Sequence, residues 1–204
     1  MKATERLYHL LRSYDDSDVS MQQFYAVWCE GIAVEEALSI LDADPDSGVP
    51  DSFGGWGSGS DGSGGGGLLV GTTGAWLVLI GDYRCTEDEI LCALSQPDRP
   101  TLAISWDLHG ANELKYARAG ELITTIDICD TNYRSGSDPA ALDPYLHDLR
   151  FNIDEHIPGE PMVDPRESFT SAMIAIGRMV GADLDKDWLD ATHTSYAVRA
   201  DSEW

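Results

Sequence analysis

The sequence predicts an α+β fold: a largely antiparallel β-sheet with helices packed on it and one long Gly/Ser-rich loop. Residues 101–129 alternate apolar and polar side chains in the manner of a β-meander. Residues 76–80 form an uninterrupted apolar run, typical of a strand covered on both faces. Apolar side chains recur at helical spacing across residues 167–180. Residues 43–67 are dominated by glycine, serine and aspartate, which predicts a flexible linker or loop.

The N-terminal part, residues 1–42, is predicted to contain a helix followed by a strand-helix unit. Leucines at helical spacing favour a helix over residues 3–14. Residues 24–30 are rich in aromatic and β-branched side chains, which favour a strand. Residues 34–41 carry two glutamates in the first turn, where the helix dipole stabilises negative charge, and apolar residues on one face. We therefore expect a second helix there.

The main body, residues 68–190, opens with predicted strands at residues 68–70 and 76–80. Thr86 and Glu89 have the spacing of a capping box and precede apolar residues at helical spacing, so a helix is predicted to follow. The segments beyond the meander are predicted to be a short helix over residues 137–149, a Pro-rich connector over 154–165, a helix over 167–180 that ends at Gly181, a single turn at 185–189, and an exposed tail over 191–204.

The alternation within the meander also predicts how its strands pair. The core face continues from the first strand into the second if His109 lies opposite Glu113, with a three-residue loop between them. The next hairpin follows the same rule if Ala117 lies opposite Glu121. Both turns then end on a residue that tolerates the left-handed conformation.

The composition is strongly acidic, because 36 Asp and Glu against 13 Lys and Arg give a formal net charge of −23. Binding to nucleic acid requires clustered basic residues, so the charge excludes that class of partner. The acidic residues are spread along the whole chain and form no tail, which is typical of a solvated acidic surface. The sharper interpretation is a surface that mimics DNA or neutralises a basic protein.

The chain is expected to be cytoplasmic. Its first 14 residues mix charged side chains with leucines and do not resemble a secretory signal. No stretch approaches the ~18 consecutive apolar residues of a membrane span. The cysteines are expected to be structural thiols of a reducing compartment rather than metal ligands; they are Cys29, Cys85, Cys92 and Cys129.

No catalytic, metal or cofactor motif stands out, so we expect no metal and no cofactor. Gly57, Gly59 and Gly62 satisfy a G-x-G-x-x-G pattern but have no strand before them and no helix after them. The histidines are scattered without the spacing of a metal site. The chain also contains neither a G-x-S-x-G nucleophile elbow after a strand nor a phosphate-binding loop.

The polar face of the meander carries the candidate binding residues Asp107, His109, Glu113 and Lys115. In the predicted register Asp107 lies beside Lys115 and forms a cross-strand ion pair with it. We interpret His109 and Glu113 as a surface pair at the mouth of a hairpin; an oriented catalytic base is the alternative. Trp56 is a further candidate, because it lies in the Gly-rich segment without apolar neighbours and is either disordered or a docking anchor.

Several short motifs follow one another along the chain: residues 76–82, the helix 87–95, Ser105 and Trp106 with the next hairpin, the turn 116–120, Gly136-Ser137-Asp138-Pro139, Leu142-Asp143-Pro144, and Trp188-Leu189. Together they resemble a family of uncharacterised bacterial domains that is frequent in actinobacteria. The resemblance spans residues 24–189, and the Gly/Ser segment looks longer than the usual connector of the family. It implies a cytosolic bacterial protein and supplies no catalytic residues.

These observations favour a non-enzymatic interaction module, of an immunity-like or regulatory kind, that blocks a basic protein partner. The absence of catalytic motifs beside an acidic surface motivates this expectation. The alternative is a small-molecule-binding protein or hydrolase that uses the polar sheet face around Asp107, His109 and Glu113. A pocket of a few hundred Å³ lined by those residues would favour the alternative.

Overall fold

A computed structural model describes residues 6–13, 23–58, 67–107, 112–153 and 162–199. The described strands are β1 (Gln23–Glu30), β2 (Val49–Asp51), β3 (Gly67–Thr73), β4 (Trp76–Gly81), β5 (Thr101–Asp107), β6 (Glu113–Arg118), β7 (Glu121–Asp127), β8 (Arg134–Ser135) and β9 (His193–Ala197). The described helices are α1 (Arg6–Arg12), α2 (Val34–Ile40), α3 (Phe53–Ser58), α4 (Asp88–Leu94), α5 (Asp143–Leu146), α6 (Pro165–Val180) and α7 (Lys186–Asp190). A 3-10 turn, Tyr83–Thr86, joins β4 to α4.

The described strands form one antiparallel sheet of nine strands, in the order β2-β9-β3-β4-β1-β5-β6-β7-β8. The predicted α+β class with a largely antiparallel sheet is therefore confirmed. β1 lies at the centre, and Ala26, Val27 and Cys29 are fully buried there. A strand that is apolar on both alternating sets of positions can occupy this central place because both faces of the sheet are covered.

Helices cover each face of the sheet, and the sheet separates the core into two layers. On the first face α1, α6 and α7 pack against even-numbered β1 residues, and Phe169 of α6 meets Phe24 and Trp106 edge to face. On the second face α2 and α4 pack against Val27 and Leu79. The residues of the candidate site lie at one end of this second face.

The longest helix, α6, is the best predicted helix because both of its ends carry strong local signals. The side chain of Asp164 accepts a hydrogen bond from the backbone N–H of Arg166, and Pro165 occupies the first turn. Gly181 ends the helix in the left-handed conformation, with φ of 82°. The sequence also predicts a helix over residues 137–149, but only α5 forms there, after a series of turns.

The register predicted for the first hairpin of the meander is wrong. Glu113 lies opposite Ser105. The predicted partner, His109, falls outside the described residues. The observed and predicted registers differ by four residues, and an even shift leaves every side chain on its own face of the sheet. The hydrophobic pattern therefore satisfies both registers and could not choose between them.

The second hairpin uses a tighter turn than predicted. Ala117 lies opposite Leu122 and not Glu121, and the turn residues Ala119 and Gly120 have φ of 54° and 80°. Positive φ at both central residues is typical of a type I′ turn, whose twist matches that of the strands. A bulge next to Ala117 then restores the alternation of inward and outward side chains.

Two segments that the sequence predicts to be irregular contribute strands. β2 and α3 fall inside the predicted linker, residues 43–67. β9 falls inside the predicted tail, residues 191–204, and pairs with both β2 and β3. His193 anchors β9, because its Nε2 lies 2.7 Å from the carbonyl oxygen of Trp188 and the two rings are in contact.

Candidate functional site

One end of each of three strands, the start of β1 and the ends of β4 and β5, lies beneath the 3-10 turn Tyr83–Thr86. Gly81 of β4, Tyr25 of β1 and Ser105 of β5 lie in one row across the sheet, and the row continues to Glu113 of β6. The turn contacts β1, β4 and β5. It therefore covers this end of the second sheet face and brings its own polar residues next to those of the strands.

The carboxylate of Asp82 fixes the shape of this turn. It accepts hydrogen bonds from the backbone N–H of Arg84 at 3.1 Å and from Nε and Nη2 of the same side chain at 2.9 and 2.7 Å. The hydroxyl of Thr86 donates to the carbonyl oxygen of Tyr83 at 2.9 Å. The predicted capping box is therefore wrong: Thr86 is used inside the turn, and Glu87 is the residue that precedes α4 as its N-cap.

Tyr25 and Asp107 form a hydrogen bond at the edge of the site. The phenolic hydroxyl donates to Oδ2 of Asp107 at 2.6 Å, and Nε2 of Gln23 lies 3.4 Å from the same oxygen. The side chain of Asn112 in turn accepts a hydrogen bond from the backbone N–H of Asp107 at 2.9 Å. Burial, and then the hydrogen bond to the negative charge of Asp107, raise the pKa of Tyr25, with a further contribution from Asp82.

Lys115 joins β6 to the turn and to α4. Its Nζ lies 2.7 Å from Oδ1 of Asp88, 3.1 Å from Oε2 of Glu113 and 3.2 Å from the carbonyl oxygen of Thr86. Only 12% of the side chain is exposed. Burial alone would lower the pKa of Lys115, but the hydrogen bonds and charges of Asp88 and Glu113 outweigh it and raise the pKa.

A pocket of about 260 Å³ opens on the other side of the turn, against the C-terminal end of α2. Five aliphatic side chains contribute to its lining: Ile40, Leu41, Leu68, Ile90 and Val198. The thiol of Cys85 also lines it, and burial followed by the charge of Asp82 raises the pKa of this thiol. A protonated thiol is a poor nucleophile, so Cys85 acts here as an apolar wall.

Charged side chains surround the pocket and continue past the turn to β5 and β6. We call this set the acidic rim; its members are Asp42, Asp82, Glu87, Asp88, Glu89, Asp107 and Glu113 with Arg84, Lys115 and Arg199. Arg199 lies 3.3 Å from Asp42, and Arg84 and Lys115 bond to carboxylates as described above. Seven carboxylates face three basic side chains, so the rim has a formal charge of −4.

The structure brings together three of the five candidate residues found in the sequence. Asp107, Glu113 and Lys115 all belong to the acidic rim, although Lys115 lies opposite Ala103 and so is not beside Asp107 as predicted. His109 lies outside the described residues. Trp56 falls in α3, and its side chain is likewise outside the described part of the chain.

Sequence reasoning missed Tyr25, Asp82, Arg84 and Glu87. Asp82 follows β4 directly and has the helix-capping residue type, which is a weak local signal. Tyr25 carries no such signal, since it lies in an apolar strand that is far in sequence from its partner. Only the strand order places these residues together.

Metal-binding clusters and membrane-spanning helices are both absent from the described residues. Among them, no group of three or more His, Cys, Asp or Glu side chains is placed to hold a metal ion. None of the described helices combines the length and the apolar character needed to cross a bilayer.

Comparison with protein families gives a match over residues 1–201 to a family described as "Family of unknown function (DUF6461)". No curated protein and no solved structure matches the chain. The match extends beyond the residues 24–189 on which the sequence resemblance rests, and it confirms that the relatives form an uncharacterised family. The chain therefore belongs to the DUF6461 family, a domain family of unknown function.

Proposed function

We propose that this protein is a non-enzymatic interaction module that binds a basic protein partner through the acidic rim. The observation that carries the proposal is the charge balance of the rim, where seven carboxylates surround three basic side chains that are each already paired. Carboxylates clustered beside a low-dielectric protein wall produce a negative potential that attracts cationic groups. Such a potential favours basic partners and repels acidic ones.

Glu87 and Glu89 are the rim residues best placed to meet a partner. Both are exposed near the start of α4, and within the described structure neither side chain forms an ion pair. Exposed charges are screened over about 10 Å at 0.1 M salt. Binding through the rim should therefore weaken as the salt concentration rises.

The raised pKa values of three site residues argue against the use of these three as bases or nucleophiles. The pKa values of Tyr25, Cys85 and Lys115 are all raised, so the three groups stay protonated at neutral pH. A general base or a thiolate nucleophile requires the deprotonated form. The described pocket of about 260 Å³ does not serve the alternative, a small-molecule-binding protein or hydrolase built on Asp107, His109 and Glu113, because other residues line it.

We place this activity in the bacterial cytosol, in an immunity-like or regulatory role. The four cysteines are free thiols, which fits a reducing compartment. A protein that blocks its partner needs a surface and no reactive group.

The test is a binding titration with a defined basic probe, the acetylated, amidated pentapeptide Lys-Lys-Ser-Lys-Lys. The double variant Glu87→Gln/Glu89→Gln removes two rim charges and should weaken binding roughly fivefold at low salt. Isothermal titration calorimetry at two salt concentrations measures the effect. Wild type and the double variant, each used as bait in a native lysate, should differ in the basic proteins that they retain.

The matched control is Asp148→Asn/Asp187→Asn, which removes the same charge from exposed positions near α5 and in α7. Binding to this control should remain within about twofold of wild type, because the sites lie outside the rim. Equal weakening in both double variants would mean that only the total charge attracts the peptide. That result would overturn the proposal.

A further inference from the structure

The lining of the pocket inside the acidic rim combines aliphatic side chains with charged ones. Leu68 in its wall is 1% exposed. The side chains of Asp42 and Arg199 at its edge are 69% and 68% exposed. A ligand that complements both regions carries an apolar group at its tip and positive charge beside it.

The walls of the pocket come from opposite sides of strand β3. Asp42 and Arg199 follow α2 and β9, while Asp82 and Glu87 follow β4. Because β3 lies between β9 and β4, the two walls are two strand spacings apart, or about 10 Å at the level of the sheet. This opening admits one side chain together with charged neighbours on either side of it.

The size of the pocket points to a side chain rather than a cofactor. Pockets for drug-sized ligands and cofactors usually enclose about 300–1,000 Å³. The pocket here encloses about 260 Å³ and is partly open to solvent. Protein interfaces commonly place one buried apolar anchor in such a pocket and surround it with polar contacts.

We propose that the pocket receives one aliphatic or aromatic side chain of the basic partner, and that lysine or arginine residues next to this anchor contact the acidic rim. This inference rests on the proposed function and names the motif that the partner must carry. Arg84 and Arg199 each already bond to an aspartate, so neither neutralises the negative charge of Glu87. This charge is therefore available to a basic residue of the partner. The chemistry of the pocket therefore selects for an apolar residue within a basic segment.

Three acetylated, amidated pentapeptides separate the anchor from the charge: Lys-Lys-Leu-Lys-Lys, Lys-Lys-Ser-Lys-Lys and Ser-Ser-Leu-Ser-Ser. The leucine-containing basic peptide should bind about tenfold more tightly than its serine counterpart, because leucine leaves water for the pocket. The uncharged leucine peptide should bind more weakly than either. Binding of the leucine-containing basic peptide should change the backbone amide chemical shifts of Leu68, Ile90 and Val198.

A variant that fills the pocket tests where the leucine goes. Val198→Phe should remove the tenfold preference for leucine while it leaves the affinity for the serine peptide unchanged. Val49→Phe is the matched control, since Val49 is 54% exposed on β2 and does not line the pocket. This control should keep the full preference.

The outcomes distinguish this inference from the proposed function. If the leucine and serine peptides bind equally, and both lose affinity in Glu87→Gln/Glu89→Gln, the rim binds the partner but the pocket takes no anchor. If neither peptide responds to the rim variant, the proposed function itself fails. If sedimentation shows a dimer that Val198→Phe dissociates, the occupant is a second copy of this chain and the inference is wrong.

Discussion

Tyr25 donates its phenolic hydroxyl to Oδ2 of Asp107 at 2.6 Å, between two neighbouring central strands. The bond is diagonal, because Gln23 and not Tyr25 lies opposite Asp107 in the register. The bond links Asp107, the last residue of β5, to Tyr25, a buried residue near the start of β1. The carboxylate is thereby held at the edge of the acidic rim.

Replacing Tyr25 with phenylalanine should lower the free energy of unfolding by about 1–2 kcal/mol, because the partly buried carboxylate of Asp107 loses a donor. Urea unfolding at pH 7 measures this loss. Tyr83→Phe is the control, since Tyr83 is 58% exposed and its change should cost less than about 0.5 kcal/mol. Equal effects of the two changes would contradict the role assigned to the hydrogen bond.

The difference in stability between wild type and Tyr25→Phe should shrink at alkaline pH. The folded-state pKa of Tyr25 is raised above the ordinary value of 10.0, so its stabilising contribution is complete below pH 10. It is lost as the pH rises above 10, because the unfolded state then releases the proton first. Urea titrations from pH 8 to pH 11 test this, and a difference that stays constant or grows would contradict it.

Lys115→Met should lower the free energy of unfolding by about 1–2 kcal/mol, because it separates β6 from the turn and leaves Asp88 and Glu113 unpaired. The cost stays below that of a fully buried pair, since Asp88 is 59% exposed and can be hydrated. Lys186→Met is the control: its ion pair with Asp190 is on the surface and is worth about 0–0.5 kcal/mol. Chemical denaturation compares the two, and similar losses would refute the linking role of Lys115.

Gly136→Ala should destabilise the protein by more than about 2 kcal/mol. Gly136 has φ of 111°, and a Cβ atom there would collide with the backbone carbonyl of Ile123, which cannot rotate away. Gly74→Ala provides the comparison, because Gly74 also has positive φ, 57°, but has open space around it. That variant should lose only about 1 kcal/mol. Thermal unfolding of both proteins separates backbone strain from collision.

Gly71→Ala should loosen strand β9. A Cβ atom at Gly71 would lie 2.5 Å from Nδ1 of His193 and 2.7 Å from Cζ2 of Trp188, so these two contacting rings must move. We expect a loss of about 1–3 kcal/mol and faster hydrogen exchange in residues 193–197. In the control Gly81→Ala the nearest atom is the flexible tip of Leu68 at 3.2 Å, so β9 should stay protected.

The elements with strong local patterns could be predicted from the sequence. The strand predicted at residues 24–30 is β1, and the helix predicted over residues 167–180 is α6. Both patterns depend on side chains two to four residues apart, so they need no knowledge of distant partners. β9 lacks such a pattern, and it becomes a strand because β2 and β3 offer their edges to it.

Composition and local periodicity are enough to predict the α+β class, the faces of the strands and the acidic charge. The tertiary structure alone decided the register of β5 against β6, since an even shift preserves every face. It alone also assembled the site. Tyr25 meets Asp107 and Asp88 meets Lys115 across 82 and 27 residues, and such contacts depend on strand order and on the path of the turn between β4 and α4.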